Sequence, residues 1–141
     1  MSDSGGFEIQ FTINSAHGAL AILEKTVWHN NGGEWTEDNR KPVVYIWYSG
    51  SGLIRFQDHE GNRFSVVVGC SNYTQKIWCD AQTRLARGDT GTKLLPEYYN
   101  GGKLSHETHT EIERQTESGR TVRVSISNHN YWVIQAVVDF S

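Results

Sequence analysis

Phe7, Ile9, Phe11 and Ile13 alternate with Glu8, Gln10 and Thr12, a period of two that predicts a half-buried β-strand near the start of the sequence. The same signature returns in short β-branched or aromatic runs from Val43 to Tyr48, Leu53 to Phe56, Phe64 to Cys70, Val122 to Ser127 and Trp132 to Phe140. Turn signals separate them: Asn30-Asn31-Gly32-Gly33, Ser49-Gly50-Ser51-Gly52, Glu60-Gly61-Asn62 and Ser118-Gly119. Gly and Asn supply the positive φ that tight hairpins need. Short strands with this punctuation predict an all-β antiparallel sandwich. Helix is expected in two places only, Asp80 to Ala86 and Leu104 to Gln115, where polar content suggests one exposed face. With no internal repeat or composition break in 141 residues, residues 1–141 read as a single domain.

Charge and hydropathy exclude several function classes. The net charge is −3 and the 13 Lys and Arg are scattered, whereas a nucleic-acid binder needs a basic stripe to displace counterions from phosphates. No apolar run approaches the roughly 20 residues of a membrane-spanning helix. The opening MSDSGGFEIQ has neither a basic n-region nor an apolar h-region, so a cytoplasmic protein is expected, with release by a signal-less route left open. Two cysteines, Cys70 and Cys79, are too few for a disulfide framework and are expected as reduced, packed thiols. Asn72-Tyr73-Thr74 matches a glycosylation sequon, but without a secretory signal Asn72 is expected to be free for another role.

Catalytic and metal motifs are poorly supported. In His106-Glu107-Thr108-His109 the imidazoles stand at i and i+3 rather than at the i and i+4 of a zinc protease helix, so two solvated histidines and no metal are expected. Glycoside hydrolysis needs two carboxylates across a sugar, for which Glu34, Glu37, Asp58, Asp80 and Asp89 are the candidates. Their polar surroundings do not favour the raised pKa of a catalytic acid. No catalytic residue and no cofactor is therefore assigned.

Sugar binding fits the residue types better. A galactose-type ring packs its C–H patch on an aromatic face, and its hydroxyls each need a donor and an acceptor. Small polar segments beside Trp and Tyr supply those groups: EKTVWHNNGGEWTE, YSGSGLIRF and GCSNY. Asn72 next to Tyr73 offers an amide that both donates and accepts, and Ser49-Gly50 offers a hydroxyl beside bare backbone. Ordinary turn residues would give the same pattern.

The ordered set EKTVWHNNGGEWTE, SGSGLIRF, VVVGCSNY, WCD, PEYYNGG and SGRTVRV resembles the fungal fruit-body lectin family over about Glu24 to Val124. The resemblance implies a six-stranded plus four-stranded β-sandwich linked by a short helix-loop-helix, the actinoporin-like fold. It also implies reversible, non-catalytic binding of the Thomsen–Friedenreich disaccharide (T-antigen, Galβ1-3GalNAc) on cell-surface glycans or glycoproteins, in a defensive role. The family's first-site Ser-Gly pair matches Ser49 and Gly50, and its Asn matches Asn72, with Tyr73 beside it. Its small apolar turn residue has no direct counterpart, because Asn30 or Asn31 stands there. For the family's second site, which takes terminal N-acetylglucosamine, Asp80 and Thr83 match, with Ala81 in place of a larger aliphatic. Lys103 lies nearest the family's Arg and Ile112 nearest its Tyr. Neither reproduces a planar guanidinium fork or a phenol hydroxyl, so that site is expected to be altered.

A single shallow sugar site is weak, so a homo-oligomer, dimer or tetramer, is expected to supply avidity. The alternatives are a membrane-active pore former of the same fold and a glycan-acting hydrolase. A pore former of this kind needs an N-terminal amphipathic helix ahead of the sandwich, whereas Phe7 to Ile13 have strand period, so membrane insertion is not expected.

Overall fold

The computed structural model describes residues 6–28, 33–71, 73–130 and 132–141. Ten strands form two sheets: β1 (Gly6–Ser15), β2 (Ala21–Trp28), β3 (Gly33–Asp38), β4 (Lys41–Trp47), β5 (Ser49–Gln57), β6 (Arg63–Ser71), β7 (Ile77–Gln82), β8 (Glu111–Gln115), β9 (Thr121–Asn130) and β10 (Val133–Phe140). The six-stranded sheet runs β3-β4-β1-β10-β9-β8, and the four-stranded sheet runs β2-β5-β6-β7. All pairings are antiparallel except β1 with β10, which closes the larger sheet by a parallel contact of the first and last strands. The expected six-plus-four sandwich is the observed architecture.

The period-two pattern aims one face of each strand at the space between the sheets. Phe7, Ile9 and Phe11 from β1 meet Val44 and Ile46, Ile54 and Phe56, Phe64 to Cys70 on alternate positions, Val122, Val124 and Ala136 to Phe140 in one core. Phe64 stacks on Phe56 and Phe140 at centroid separations of 5.0 and 5.5 Å, joining the two sheets. Strands β5 and β6 are buried on both faces, which explains their nearly unbroken apolar runs. Their outer face is covered by a strap: helix α1 (Gly91–Leu94) continuing directly into a 3-10 turn, Leu95–Tyr98. Leu95 and Tyr98 pack there on Leu53 and Val67.

Three expectations need correction. Asp80 to Ala86 is not helical, because Asp80 to Gln82 pair with β6 as the end of β7. Leu104 to Gln115 is not a helix either: it is a run of turns ending in β8, where Glu111, Glu113 and Gln115 are exposed and Ile112 and Arg114 half-buried. The polarity taken for a helix face is the period-two alternation of an edge strand. Ser49-Gly50-Ser51-Gly52 is not a turn but the first half of β5, and the chain passes from the six-stranded to the four-stranded sheet through one residue, Tyr48. The short α1 and 3-10 strap stands where a helix-loop-helix was expected. The Glu60-Gly61-Asn62 and Ser118-Gly119 turns join β5 to β6 and β8 to β9 as expected.

Both cysteines are free and buried in the core, and burial pushes each thiol up to about 12. A thiolate is the reactive form. The folded protein should therefore leave a disulfide reagent such as DTNB unreacted at pH 8, and two thiols should titrate after unfolding in guanidinium. Rapid labelling of the native protein would contradict the packing.

Candidate carbohydrate-binding site

The outer face of the four-stranded sheet is built of rungs set by strand register. One rung is Ser49 with Ser71; the next is Trp28, Ser51, Gly69 and Trp78; then Thr26, Leu53, Val67 and Asp80; then Glu24, Arg55, Ser65 and Gln82. The strap crosses this face and seats two consecutive tyrosines on neighbouring rungs. Tyr99 stacks on Trp28 at 5.2 Å, meets Trp78 edge-on at 6.4 Å and shares a 2.8 Å hydrogen bond with the Ser51 hydroxyl. Gly69 makes this possible, since a Cβ there would lie 2.1 Å from the Trp78 ring. Tyr98 turns to the following rung and donates to Asp80 Oδ2 at 2.7 Å. Burial, followed by the Asp80 charge, holds the Tyr98 phenol well above its usual range.

The strap leaves a polar end on each side. At one end Ser49 opens β5, half-buried, its hydroxyl without a partner among the described residues. Gly50 follows with φ 157°, and a Cβ on it would sit 2.1 Å from the Trp28 carbonyl oxygen. Bare backbone is obligatory at that point. Ser71, opposite Ser49, holds the loop that follows β6: its carbonyl accepts from Gln75 N–H and its own N–H donates to the Lys76 carbonyl. Tyr73 projects from this loop and is 81% exposed. Ser49, Gly50 and Tyr73 are thus carried by strands or a loop meeting at one rung. Asn30, Asn31 and Asn72 lie outside the described residues.

At the other end Asp80 is fully buried and ionically satisfied. Besides Tyr98 it accepts from Gln82 Nε2 at 2.8 Å and from Arg114 Nη2 at 3.2 Å. The same Arg114 nitrogen donates to Glu107 Oε1 at 2.9 Å, and His109 Nε2 lies 2.7 Å from that oxygen. His106 is exposed, but His109 is not the solvated residue expected from sequence; it is paired with Glu107 and stands 4.0 Å from Asp80. Ligand atoms of Asp80, Glu107 and His109 fall within 4.8 Å of one another, a possible cation set, and the Arg114 guanidinium already bridges its two carboxylates. Thr83 donates to the Gln115 carbonyl at 2.7 Å and lines a groove of about 420 Å³ with Gln82, Arg84, Glu113, Arg114 and Gln115.

Asp80 and Thr83 therefore belong to one region. Ala81 points its methyl into the core between the sheets. The exposed Lys103 side chain makes no contact with either, its backbone N–H being bound to Glu97. Ile112 is half-buried against the core. Arg114 was missed, since its only sequence signal was charge in a segment read as helix, whereas Glu107 and His109 were considered only as a metal motif and not as neighbours of Asp80. The five hydrolase carboxylates do not gather: Glu34 and Glu37 are on edge strand β3 of the other sheet, Asp58 holds the β5–β6 turn, Asp80 is buried in β7 and Asp89 caps Ala86.

Comparison with known proteins shows the family. The sequence pattern of the fungal fruit body lectins matches residues 6–137. The chain belongs to that family. It is 36% identical over 104 residues to the Boletus edulis lectin, covering 72% of this chain and 71% of the relative. The crystal structure of wild-type Xerocomus chrysenteron lectin superposes with a TM-score of 0.87 at 32% identity, covering 96% of this chain and 99% of that one. A lipid-binding protein, Nakanori, superposes with a TM-score of 0.66 at 12% identity over 96% of this chain and 71% of its own, a likeness of fold alone. As a member of a lectin family, the chain is a carbohydrate-binding protein.

Two consequences are testable. Gly50→Ala forces a methyl into the Trp28 carbonyl and should cost about 1 to 3 kcal/mol or more of stability, read by chemical denaturation. The His109 hydrogen bond, then the Arg114 charge, hold the Glu107 carboxyl below its usual 4.5. A lowered carboxylate pKa gives stability that is present above 4.5 and lost as pH falls through the lowered value. Glu107→Gln should therefore flatten the acid limb of the stability profile below pH 4.5, and an unchanged slope would contradict the assignment.

Proposed function

We propose that this lectin recognises galactosyl or N-acetylgalactosaminyl glycans, of which the Galβ1-3GalNAc disaccharide is the model ligand, at the Ser49 end of the four-stranded sheet. The observation that carries the reading is the obligatory glycine beside the Ser49 hydroxyl: Gly50 admits no side chain, and the hydroxyl has no partner among the described residues. The Ser49 hydroxyl and the neighbouring backbone hold the sugar hydroxyls. Asn72, with Asn30 or Asn31, completes their donors and acceptors, and Tyr73 contributes an aromatic face. Binding is reversible and breaks no bond.

Asp80 and Thr83 mark a second, separate sugar groove across the strap, altered because Lys103 and Ile112 supply neither a guanidinium fork nor a phenol hydroxyl, while Arg114 occupies Asp80. Each site alone gives affinities of about millimolar to micromolar, roughly 4 to 8 kcal/mol. Avidity then comes from a homo-oligomer, dimer or tetramer, presenting several copies to cell-surface glycans or glycoproteins.

A glycan array on purified protein, read beside its mass in solution, tests the reading. Galactosyl glycans should dominate the signal, and Ser49→Ala or Asn72→Ala should weaken them by about 1 to 3 kcal/mol, since sugar hydroxyls are left desolvated without partners. Asp80→Ala should leave the galactosyl signal in place. Full-strength binding by both first-site variants would move the site elsewhere, and agglutination by a monomer would remove the oligomer.

A further inference from the structure

We propose that Tyr45 and Trp47, flanked by Glu34 and Glu8, form a separate binding track on the outer face of the six-stranded sheet, and that it takes a linear amino sugar with free amines, a glucosamine oligomer. The track goes beyond the galactoside reading and shares no residue with it.

No described helix or strand covers this face, whereas the strap covers the outer face of the other sheet. The period-two pattern that sends Val44 and Ile46 into the core sends Val43, Tyr45 and Trp47 outward along β4. Register then fixes their neighbours. Tyr45 stands between Glu34 of β3 and Glu8 of β1, and Trp47 stands opposite Gly6. Residues directly opposed on one face have Cβ atoms about 4.5 to 5.5 Å apart, so the two carboxylates flank the tyrosine from either side. The Tyr45 ring leans along the sheet over Gly6, where a Cβ would lie 2.7 Å from Cε1 and 2.9 Å from the hydroxyl. It thereby meets Trp47, with centroids 5.2 Å apart and planes at 68°. The pair forms a corner rather than a stack, and Trp47 remains 42% exposed.

Charge selects the sugar. The Tyr45 and Trp47 rungs carry two carboxylates and, among the described residues, no Lys, Arg or His. Glu8 is held in place by the Gln10 amide, while Glu34 has no hydrogen bond or ion pair among the described residues. A protonated amine is attracted both by an aromatic face and by the carboxylates beside it. A pyranose adds the C–H patch that packs on a ring. An amino sugar carries both groups on one unit. Further along the same strands Gln10, Asp38, Asn39, Lys41 and Val43 line a hollow of about 110 Å³. A strand rise of about 3.4 Å per residue sets Trp47 roughly 14 Å from Val43, the reach of a short oligomer rather than of one ring. Asp38 faces Lys41 there, so the part that selects an amine is the Tyr45–Trp47 end.

NMR titration of the full-length protein with the glucosamine trimer at about pH 6, where amines of this kind are protonated, tests the track. The Trp47 indole resonance should shift. Glu34→Gln should weaken the trimer about two- to fivefold and Trp47→Ala about three- to tenfold, while Trp47→Phe keeps most of the affinity. Glu34→Gln lies on an exposed edge strand and should keep the wild-type melting temperature and galactoside binding. The fully N-acetylated trimer, with the same backbone and no charge, should shift Trp47 at least about fivefold less readily. A glucosamine trimer that leaves the Trp47 indole unmoved, or that binds the Glu34→Gln, Trp47→Ala double variant as tightly as the wild type, overturns the track. Equal shifts of Trp47 by the charged and the N-acetylated trimers overturn the assignment to an amino sugar.

Discussion

Two adjacent tyrosines on a short strap hold the outer face of the four-stranded sheet together. A sheet flanked by another sheet on one side has an outer face that must be covered or polar, and β5 and β6 carry Leu53 and Val67 there. The strap covers them with Leu95 and Tyr98, and it is pinned at its start by the Gly91 N–H donating to Glu24, which also binds Arg55. Tyr99 then locks into the cradle of Trp28, Ser51, Gly69 and Trp78, while Tyr98 reaches Asp80. Burial pushes the Tyr99 hydroxyl up to about 12, so this bond stays neutral across the physiological range. The strap is what turns one continuous sheet face into two separate ends of different chemistry.

Those ends differ in how far the protein satisfies itself. The Ser49 end presents a hydroxyl and backbone to solvent with few internal claims on them, as a reversible sugar site requires. The Asp80 end is a closed set of charges: one buried carboxylate, a second half-buried, a bridging guanidinium and an imidazole. Removing one member of such a set strands the others, which makes it costly to disturb. The adjoining groove is lined by Gln82, Thr83, Arg84 and Arg114 rather than by a free Asp80.

Much of the fold is written in short apolar and period-two runs, and six strands, β1, β4, β5, β6, β9 and β10, follow from them. What the pattern does not reveal is explicable residue by residue. Ser49-Gly50-Ser51-Gly52 has the composition of a turn but lies inside a strand, because the Trp28 carbonyl at Gly50 and the Val44 side chain at Gly52 press close to the backbone. Glu111 to Gln115 is polar because it is an edge strand exposed on one side, and charge density alone does not separate that from a surface helix. Arg114 escaped notice for the same reason: its partners Asp80 and Glu107 lie 34 and 7 residues away, and only the pairing of β8 with β9 beside β7 brings them together. The glycine requirement at Gly50 comes from the Trp28 carbonyl on the neighbouring strand, a contact that only the pairing of β2 with β5 reveals.

The account stands or falls on where a galactoside comes to rest. Crystals soaked with Galβ1-3GalNAc should show the galactose within hydrogen-bonding distance of the Ser49 hydroxyl, over the Gly50 backbone. Sugar density confined to the Thr83 groove, or none on the outer face of the four-stranded sheet, would contradict it.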